Sequence, residues 1–252
     1  MKVWAIADLH LSFGVPNKKM DVFGERWTSH STKIEMHWRE LIAEEDLILI
    51  AGDISWALHL QDAAIDLQWI ANLPGTKVIS KGNHDLWWKS MTKISTILPP
   101  RMHLIHNNSF TYQGITIGGT RLWDHDDNDF GKYIEYRKAP ENVNVHIKTH
   151  TPEDERHDAK IFKGELERLS LSLKQLDPHA HTRIAMLHYP PTGEAHHESE
   201  VTKILDHYKI NTCIYGHLHN LHPNAPVDFT LNGIKYICTS CDFLNFKPYL
   251  LN

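Results

Sequence analysis

Five apolar, β-branched runs in this sequence each end in residue types that bind metals. Val3 to Ala7 leads into Asp8-Leu9-His10, Leu47 to Ala51 into Gly52-Asp53, and Lys77 to Ser80 into Gly82-Asn83-His84-Asp85. Arg183 to Leu187 leads into His188, and Thr212 to Tyr215 into Gly216-His217-Leu218-His219. In an α/β sheet the carboxyl ends of the strands lie along one edge, where ligands bind, so residues far apart in sequence can converge. Asp8, Asp53, Asn83, His10, His188, His217 and His219 then give seven oxygen and nitrogen donors. That is too many for one tetrahedral zinc and too rich in histidine for calcium or a lone magnesium. Two divalent transition-metal ions, Mn, Fe or Zn, fit better. A shared carboxylate can hold such ions ~3.5 to 4 Å apart, where they generate a hydroxide and clamp both oxygens of an in-line phosphoryl displacement. Position carries this inference, because 20 histidines in 252 residues make a bare His-x-His pair uninformative.

The elements that must position these residues follow from periodicity. Helical spacing of apolar residues marks Ile34 to Ala43, Leu58 to Leu73, Leu86 to Leu98, Leu166 to Leu176 and Val201 to Tyr208. Alternation of strand and helix predicts an α/β layered architecture. Closely spaced runs at His103 to Ile105, Phe110 to Tyr112, Ile115 to Gly118, Phe229 to Leu231 and Ile234 to Cys238 predict added antiparallel strands, with Asn232-Gly233 as a hairpin turn. Residues 12–31 and 121–152 lack a clear period and read as long loop excursions. No repeat, low-complexity tract or Gly/Pro/Ser-rich linker divides the chain, so residues 1–252 are expected to form a single domain.

Together, Asp8-x-His10, Gly52-Asp53, Gly82-Asn83-His84-Asp85, His188 and Gly216-His217-x-His219 resemble the calcineurin-like metallophosphoesterase superfamily, with all five blocks in family order. The resemblance implies a two-sheet β-sandwich core flanked by helices, with the metal site at the carboxyl ends of the strands. It also implies that Asp8, His10, Asp53 and His219 bind one metal and that Asp53, Asn83, His188 and His217 bind the other. Asp53 is then the shared ligand, and His84 the non-ligand histidine that donates a proton or hydrogen bond to the phosphate or leaving oxygen. The implied activity is hydrolysis of a phosphomonoester or phosphodiester by metal-bound hydroxide. The sequence departs from two branches of the superfamily three positions after Asp53. Protein Ser/Thr phosphatases carry an aspartate and an arginine there, and purple acid phosphatases a tyrosine. Here Trp56-Ala57-Leu58 follows, which argues against both.

Several residues admit two readings. Asp85 could orient a neighbouring histidine, or cap a helix beginning at Leu86. Arg121 could be a bidentate phosphate ligand, although most arginines are solvated and the surface reading is expected. Trp87 and Trp88 could wall a pocket but read as core. Cys238-x-x-Cys241 has no second pair and no helix pattern behind it, so two buried thiols are expected instead of a redox or zinc motif. Asp124, Asp126, Asn128 and Glu135 mimic calcium-loop spacing, yet the turn glycine is replaced by Asp129, which favours an acidic surface loop. His179, His181, His196 and His197 lie off any strand end and are expected at the surface.

Lys+Arg 26 against Asp+Glu 31 gives a net charge of −5. That balance disfavours long nucleic acid and offers no broad surface for anionic lipid. Apolar runs are too short for a spanning helix or a signal peptide, and the three cysteines suit a reducing compartment, so a cytoplasmic location without membrane association is expected. The expected partner is a small phosphorylated substrate. The alternatives are a nuclease acting on short nucleic acid and a non-catalytic protein-interaction scaffold of the same fold.

Overall fold

The apolar runs pair into two mixed sheets. The protein is represented by a computed structural model that describes residues 1–125, 128–135 and 151–251. Its strands are β1 (Val3–Ile6), β2 (Leu47–Ile50), β3 (Thr76–Ser80), β4 (Met102–Ile105), β5 (Ser109–Tyr112), β6 (Ile115–Thr120), β7 (Thr182–Leu187), β8 (Thr212–Tyr215), β9 (Phe229–Leu231), β10 (Ile234–Cys238) and β11 (Tyr249–Leu251). Its helices are α1 (His30–Leu41), α2 (Leu60–Ala71), α3 (Met91–Ser95), α4 (Pro152–Leu173) and α5 (Glu200–His207). One five-stranded sheet has the order β11-β1-β2-β3-β4, and a six-stranded sheet the order β5-β6-β7-β8-β10-β9.

Alternation along each strand sorts the side chains into three layers. Val3, Ala5, Leu47, Leu49 and Val78 face across to Ile117, Ile184, Met186 and Ile214 of the second sheet. The intervening Trp4, Ile6, Ile48 and Ile50 pack outward on Ile34 and Trp38 of α1 and Leu67 and Ile70 of α2. On the far side Ala185, Leu187, Cys213 and Tyr215 pack on Leu166 and Leu169 of α4 and Val201 and Leu205 of α5. Strands covered on both faces read as continuous apolar runs, which is why β1, β2 and β8 carry so little polar residue. Each fully buried Ile or Leu contributes roughly 1.5–3 kcal/mol, so the strand ends are anchored in the most stable part of the molecule.

Several elements differ from the sequence expectation. His103 to Ile105 pairs parallel to β3, not antiparallel. β6 and β10 are antiparallel only to β5 and β9 and run parallel to β7 and β8. Asn232 and Gly233, at φ 51° and 79°, form the expected two-residue turn. The helix expected over Leu86 to Leu98 shrinks to α3, capped by Ser90, whose hydroxyl accepts from Lys93 N. α4 begins at Pro152, well before Leu166, behind a capping box of Thr151 and Asp154. Residues 12–31 hold two short 3-10 turns whose Met20 and Trp27 are buried.

The strand ends approach so closely that only glycine fits between them. A Cβ at Gly216 would lie 2.6 Å from both Ala7 Cβ and Asp8 Oδ2, and one at Gly82 would overlap the Asp53 amide and carboxylate. Gly82→Ala should therefore cost roughly 1 to 3 kcal/mol in denaturant unfolding of metal-free protein. Gly164→Ala on α4, where an added Cβ meets nothing within 4 Å, should be neutral or stabilising. Equal stability of the two variants would contradict the close approach.

Candidate metal centre

The ends of β1, β2 and β8 turn sharply to aim side chains at one point. Asp8, His10, Asp53 and His217 all have positive φ, at 61°, 44°, 50° and 71°. Backbone hydrogen bonds from Asp8 N to Gly52 O (3.0 Å) and from His10 N to Asp53 O (2.9 Å) tie the first two turns together. The Asp8 carboxylate accepts from His217 N, and Asp53 Oδ1 accepts from His84 N at 2.7 Å. Asp8, His10, Asp53 and His188 are buried.

Two groups of donor atoms result: Asp8, His10 and His219, and Asp8, Asp53 and His188. Asp8 belongs to both. Asp53 also reaches both sides, with Oδ2 3.7 Å from His10 Nε2 and 3.5 Å from His188 Nε2. Asn83 Oδ1 lies 2.6 Å from His188 Nε2 and 3.1 Å from His217 Nδ1, so all seven expected donors converge. The His84 ring stands outside both groups, 4.4 Å from the Trp56 ring centroid.

The donor chemistry fits divalent cations. His188 Nδ1 lies 3.0 Å from the Ala51 carbonyl, which only accepts, so that nitrogen carries the proton and Nε2 presents a lone pair. That lone pair meets the Asn83 carbonyl oxygen, another acceptor. His219 Nδ1 is committed to Asp242 Oδ1 at 2.8 Å, and its Nε2 points at His10 Nε2 3.1 Å away. The facing lone pairs of His188 and Asn83 are what a cation between them would satisfy, and at His219 a cation would take the place of the Nε2 proton.

Charge shifts follow from the same crowding. Burial, opposed by His219 and reinforced by Asp53, raises Asp8 to about 8. Burial likewise raises Asp53, against the pull of His84 and His219. Burial lowers His188 to about 3 and His217 to about 2, and holds His10 well below its usual range, so these rings are neutral and ready to coordinate. For His219 burial works downward, but the carboxylates of Asp242, Asp8 and Asp53 outweigh it and raise it to about 9.

Asp85 is not a helix cap. Its Oδ1 accepts from Ile54 N, Ser55 N and Trp87 Nε1, and its Oδ2 from Gly82 N at 2.8 Å. This buried carboxylate ties the turn after β2 to the turn after β3, and burial together with Asp53 raises it to about 7. Arg121 is not a solvated surface residue either. Its side chain is 19% exposed, lies 3.6 Å from Glu165 and 4.5 Å from the Trp123 ring, and its buried Nε has no hydrogen-bond partner among the described residues. Trp87 and Trp88 are core, and all three cysteines are buried free thiols. His196 is half-buried and stacks on Phe229 at 3.9 Å, whereas His179, His181 and His197 are exposed as expected. In the acidic loop Asn128 is buried, Asp129 and Glu135 are exposed, and Asp126 lies outside the described residues.

Two contributors escaped the sequence reading. Asp242 orients His219 and also accepts from Asn220 N at 2.9 Å. It follows β10, so the strand-end rule that found the other residues points to it as well. Trp56 stacks on His10 at 4.8 Å and packs against His84, holding a histidine whose buried Nδ1 has no hydrogen-bond partner among the described residues.

Two mixed sheets with helices on their outer faces, and an Asp/His cluster at the strand ends, define a metallophosphoesterase fold with a candidate metal site. The sequence matches the calcineurin-like phosphoesterase family over residues 1–221, and the chain belongs to that family. A curated relative, the gene 66 protein of Mycobacterium phage D29, is 34% identical over 84 residues, which is 33% of this chain and 40% of that protein. Similar solved structures include the protein of unknown function AQ665 from Aquifex aeolicus (15% identity, TM-score 0.46, 99% of this chain and 95% of that one). Another is TT1561 of Thermus thermophilus (11%, TM-score 0.47, 99% and 97%). A putative 5′-nucleotidase from Staphylococcus aureus matches at 13% identity with a TM-score of 0.47, over 94% of this chain and 48% of that one.

Asp242→Asn should weaken metal affinity about 10- to 100-fold, as is usual when a carboxylate behind a ligating histidine is lost, and metal titration will measure it. Unchanged affinity would remove Asp242 from the site. In the metal-free protein the raised Asp8 and Asp85 mean that the folded state holds protons that the unfolded chain has released. Above about pH 6.5, where His188 and His217 are neutral in both states, stability should therefore fall as pH rises through about 7 and 8; below 6.5 those two histidines, protonated only in the unfolded chain, work in the opposite sense. His219 acts in the same sense, its contribution being full below its unfolded value of 6.5 and lost through about 9. Metal binding at pH 7 should then release about one or two protons, from Asp8 and His219 and not from His188 or His217. Calorimetry in buffers of different ionisation enthalpy reads this number, and zero release would contradict the scheme.

Proposed function

We propose that the protein is a dinuclear metal-dependent phosphoesterase that hydrolyses a small phosphomonoester or phosphodiester. The observation that carries this reading is the convergence of buried oxygen and nitrogen donors from both sheets at one point, where the His188 Nε2 lone pair faces Asn83 Oδ1 and His10 Nε2 meets His219 Nε2. In this reading Asp8, His10, Asp53 and His219 hold one ion, and Asp53, Asn83, His188 and His217 hold the other. Divalent ions bound there supply Lewis acidity and an ionised water near neutral pH. Mn, Fe and Zn all suit the nitrogen and oxygen donors.

The chain's own residues do the remaining work. Asp85 fixes the spacing of the turns that carry Asp53 and Asn83. Arg121 adds positive potential felt at Asp53 and His188 and is the candidate phosphate-facing guanidinium. His84 borders the cluster and is the candidate donor to the leaving oxygen. Burial lowers its pKa while Asp53 pulls it upward, so a phosphate dianion beside it would favour the protonated ring. Among the described residues no helix is long and apolar enough to cross a membrane. A cytoplasmic location and a single domain over residues 1–252 are part of the same proposal, and the three buried free thiols support the location.

The test is hydrolysis of p-nitrophenyl phosphate and its bis ester with Mn²⁺, Fe²⁺ or Zn²⁺, alongside metal analysis that should approach about two ions per chain. Absence of hydrolysis with every metal would leave the non-catalytic scaffold reading. Preference for short oligonucleotides over both esters would favour the nuclease. His84→Ala should keep its metal while kcat falls about 10²- to 10⁴-fold, with a smaller loss for p-nitrophenolate than for an alkoxide leaving group. Loss of metal in that variant would make His84 a ligand.

A further inference from the structure

Beside the metal cluster lies a cavity of about 160 Å³ whose lining joins His10, His84 and His219 to Phe23, Trp27 and Trp56. Among the described residues no carboxylate lines it. Phe23 and Trp56 present rings within 6° of parallel, with centroids 6.3 Å apart. Trp56 is held on several sides: it stacks on His10, its indole nitrogen donates to Met20 Sδ at 3.0 Å, and its carbonyl accepts from Lys18 Nζ at 3.1 Å. Phe23 stays 46% exposed, and the adjacent Val22 73%, leaving an apolar rim where a soluble chain ordinarily places polar residues.

We propose that this cavity is a leaving-group pocket for a single flat ring, so that the preferred substrates are phosphoesters of ring-bearing alcohols. The inference rests on the phosphoesterase reading and narrows its substrate. Size supports it, since an apolar cavity of ~150 Å³ takes up one benzene ring. Lining supports it, because Phe23, Trp27 and Trp56 offer ring faces and edges with which a planar guest can pair in offset or edge-to-face contact and a puckered one cannot. Position assigns the ring to the leaving group. His84 forms part of the same wall, so the oxygen that it can protonate is the one that carries the pocket's occupant. In the step itself water oxygen bonds to phosphorus, its surplus proton passes to solvent, and the phosphorus–oxygen bond to the alcohol breaks. The electron pair leaves on that oxygen, which takes a proton from His84.

Benzyl phosphate and cyclohexylmethyl phosphate test this, because both leave as primary alkoxides of similar stability and differ in flatness. The expected kcat/KM ratio favours benzyl by roughly 3- to 10-fold, the worth of one aromatic pair. Phe23→Leu keeps apolar bulk without the ring and should bring the ratio close to one, and Phe23→Tyr should restore it. Phe23 is exposed and touches no candidate ligand, so folding does not confound the comparison. A ratio of one in the unmodified protein, or a ratio unmoved in Phe23→Leu, overturns the proposal. Turnover of p-nitrophenyl esters with no benzyl preference would sink the pocket alone. Absence of turnover with every ester would sink the phosphoesterase reading. Calorimetry of benzylphosphonate against cyclohexylmethylphosphonate on the metal-loaded protein then decides the pocket by itself: tighter benzyl binding keeps it, and equal or undetectable binding overturns it.

Discussion

Left-handed backbone at the ends of β-strands is the constraint on which the site depends. A strand continuing in extended geometry would carry its next side chains to alternate faces of the sheet, away from one another. At Asp8, His10, Asp53 and His217 the chain takes positive φ instead, and the side chains swing to a common point. Each such residue costs of order 1–3 kcal/mol and persists only where its surroundings over-determine it. The surroundings here are the two-sided burial of the strands and a mesh of backbone hydrogen bonds between consecutive turns. The stable core thus holds a locally unfavourable rim in place.

The same rim concentrates charge that dislikes being buried. Asp8, Asp53 and Asp85 are all shielded from water, and their raised pKa values express the cost of keeping them ionised there. Backbone amides offset part of that cost at Asp85, and His219 part of it at Asp8. What is left over is an excess of electron pairs. Such a site has a built-in appetite for cations.

Much of the fold was legible because β1, β2, β3, β7 and β8 are compact apolar runs that stop at Gly, Asp, Asn or His, so chemistry and strand boundary coincide. The residues that misled did so for local reasons. Leu86, Trp87 and Trp88 imitate a helical apolar face, but the Trp87 indole bonds to Asp85 and the segment stays in a turn. The first half of α4 is so charged that apolar spacing begins only near Leu166, and the readable signal was Thr151-Pro152 with Asp154. β11 has three residues and pairs only at an edge, too short to show a period. Arg121 was judged by the average arginine, and burial between Glu165 and Trp123 depends on tertiary contacts that no local pattern announces.

Asp8 and the His217 amide are hydrogen-bonded across a separation of 209 residues, and Cys241 donates its amide to the Ala7 carbonyl. The cluster is therefore stitched from opposite halves of the polypeptide, and His219 is oriented only once residue 242 is in place. On a ribosome adding roughly 5 to 20 residues per second, the early donors emerge many seconds before the late ones. During that interval the nascent chain displays Asp8, His10 and Asp53 without the histidines that complete the cage. Cation capture thus waits for the late strands, which makes metal acquisition a report that both sheets have been made and have closed upon one another.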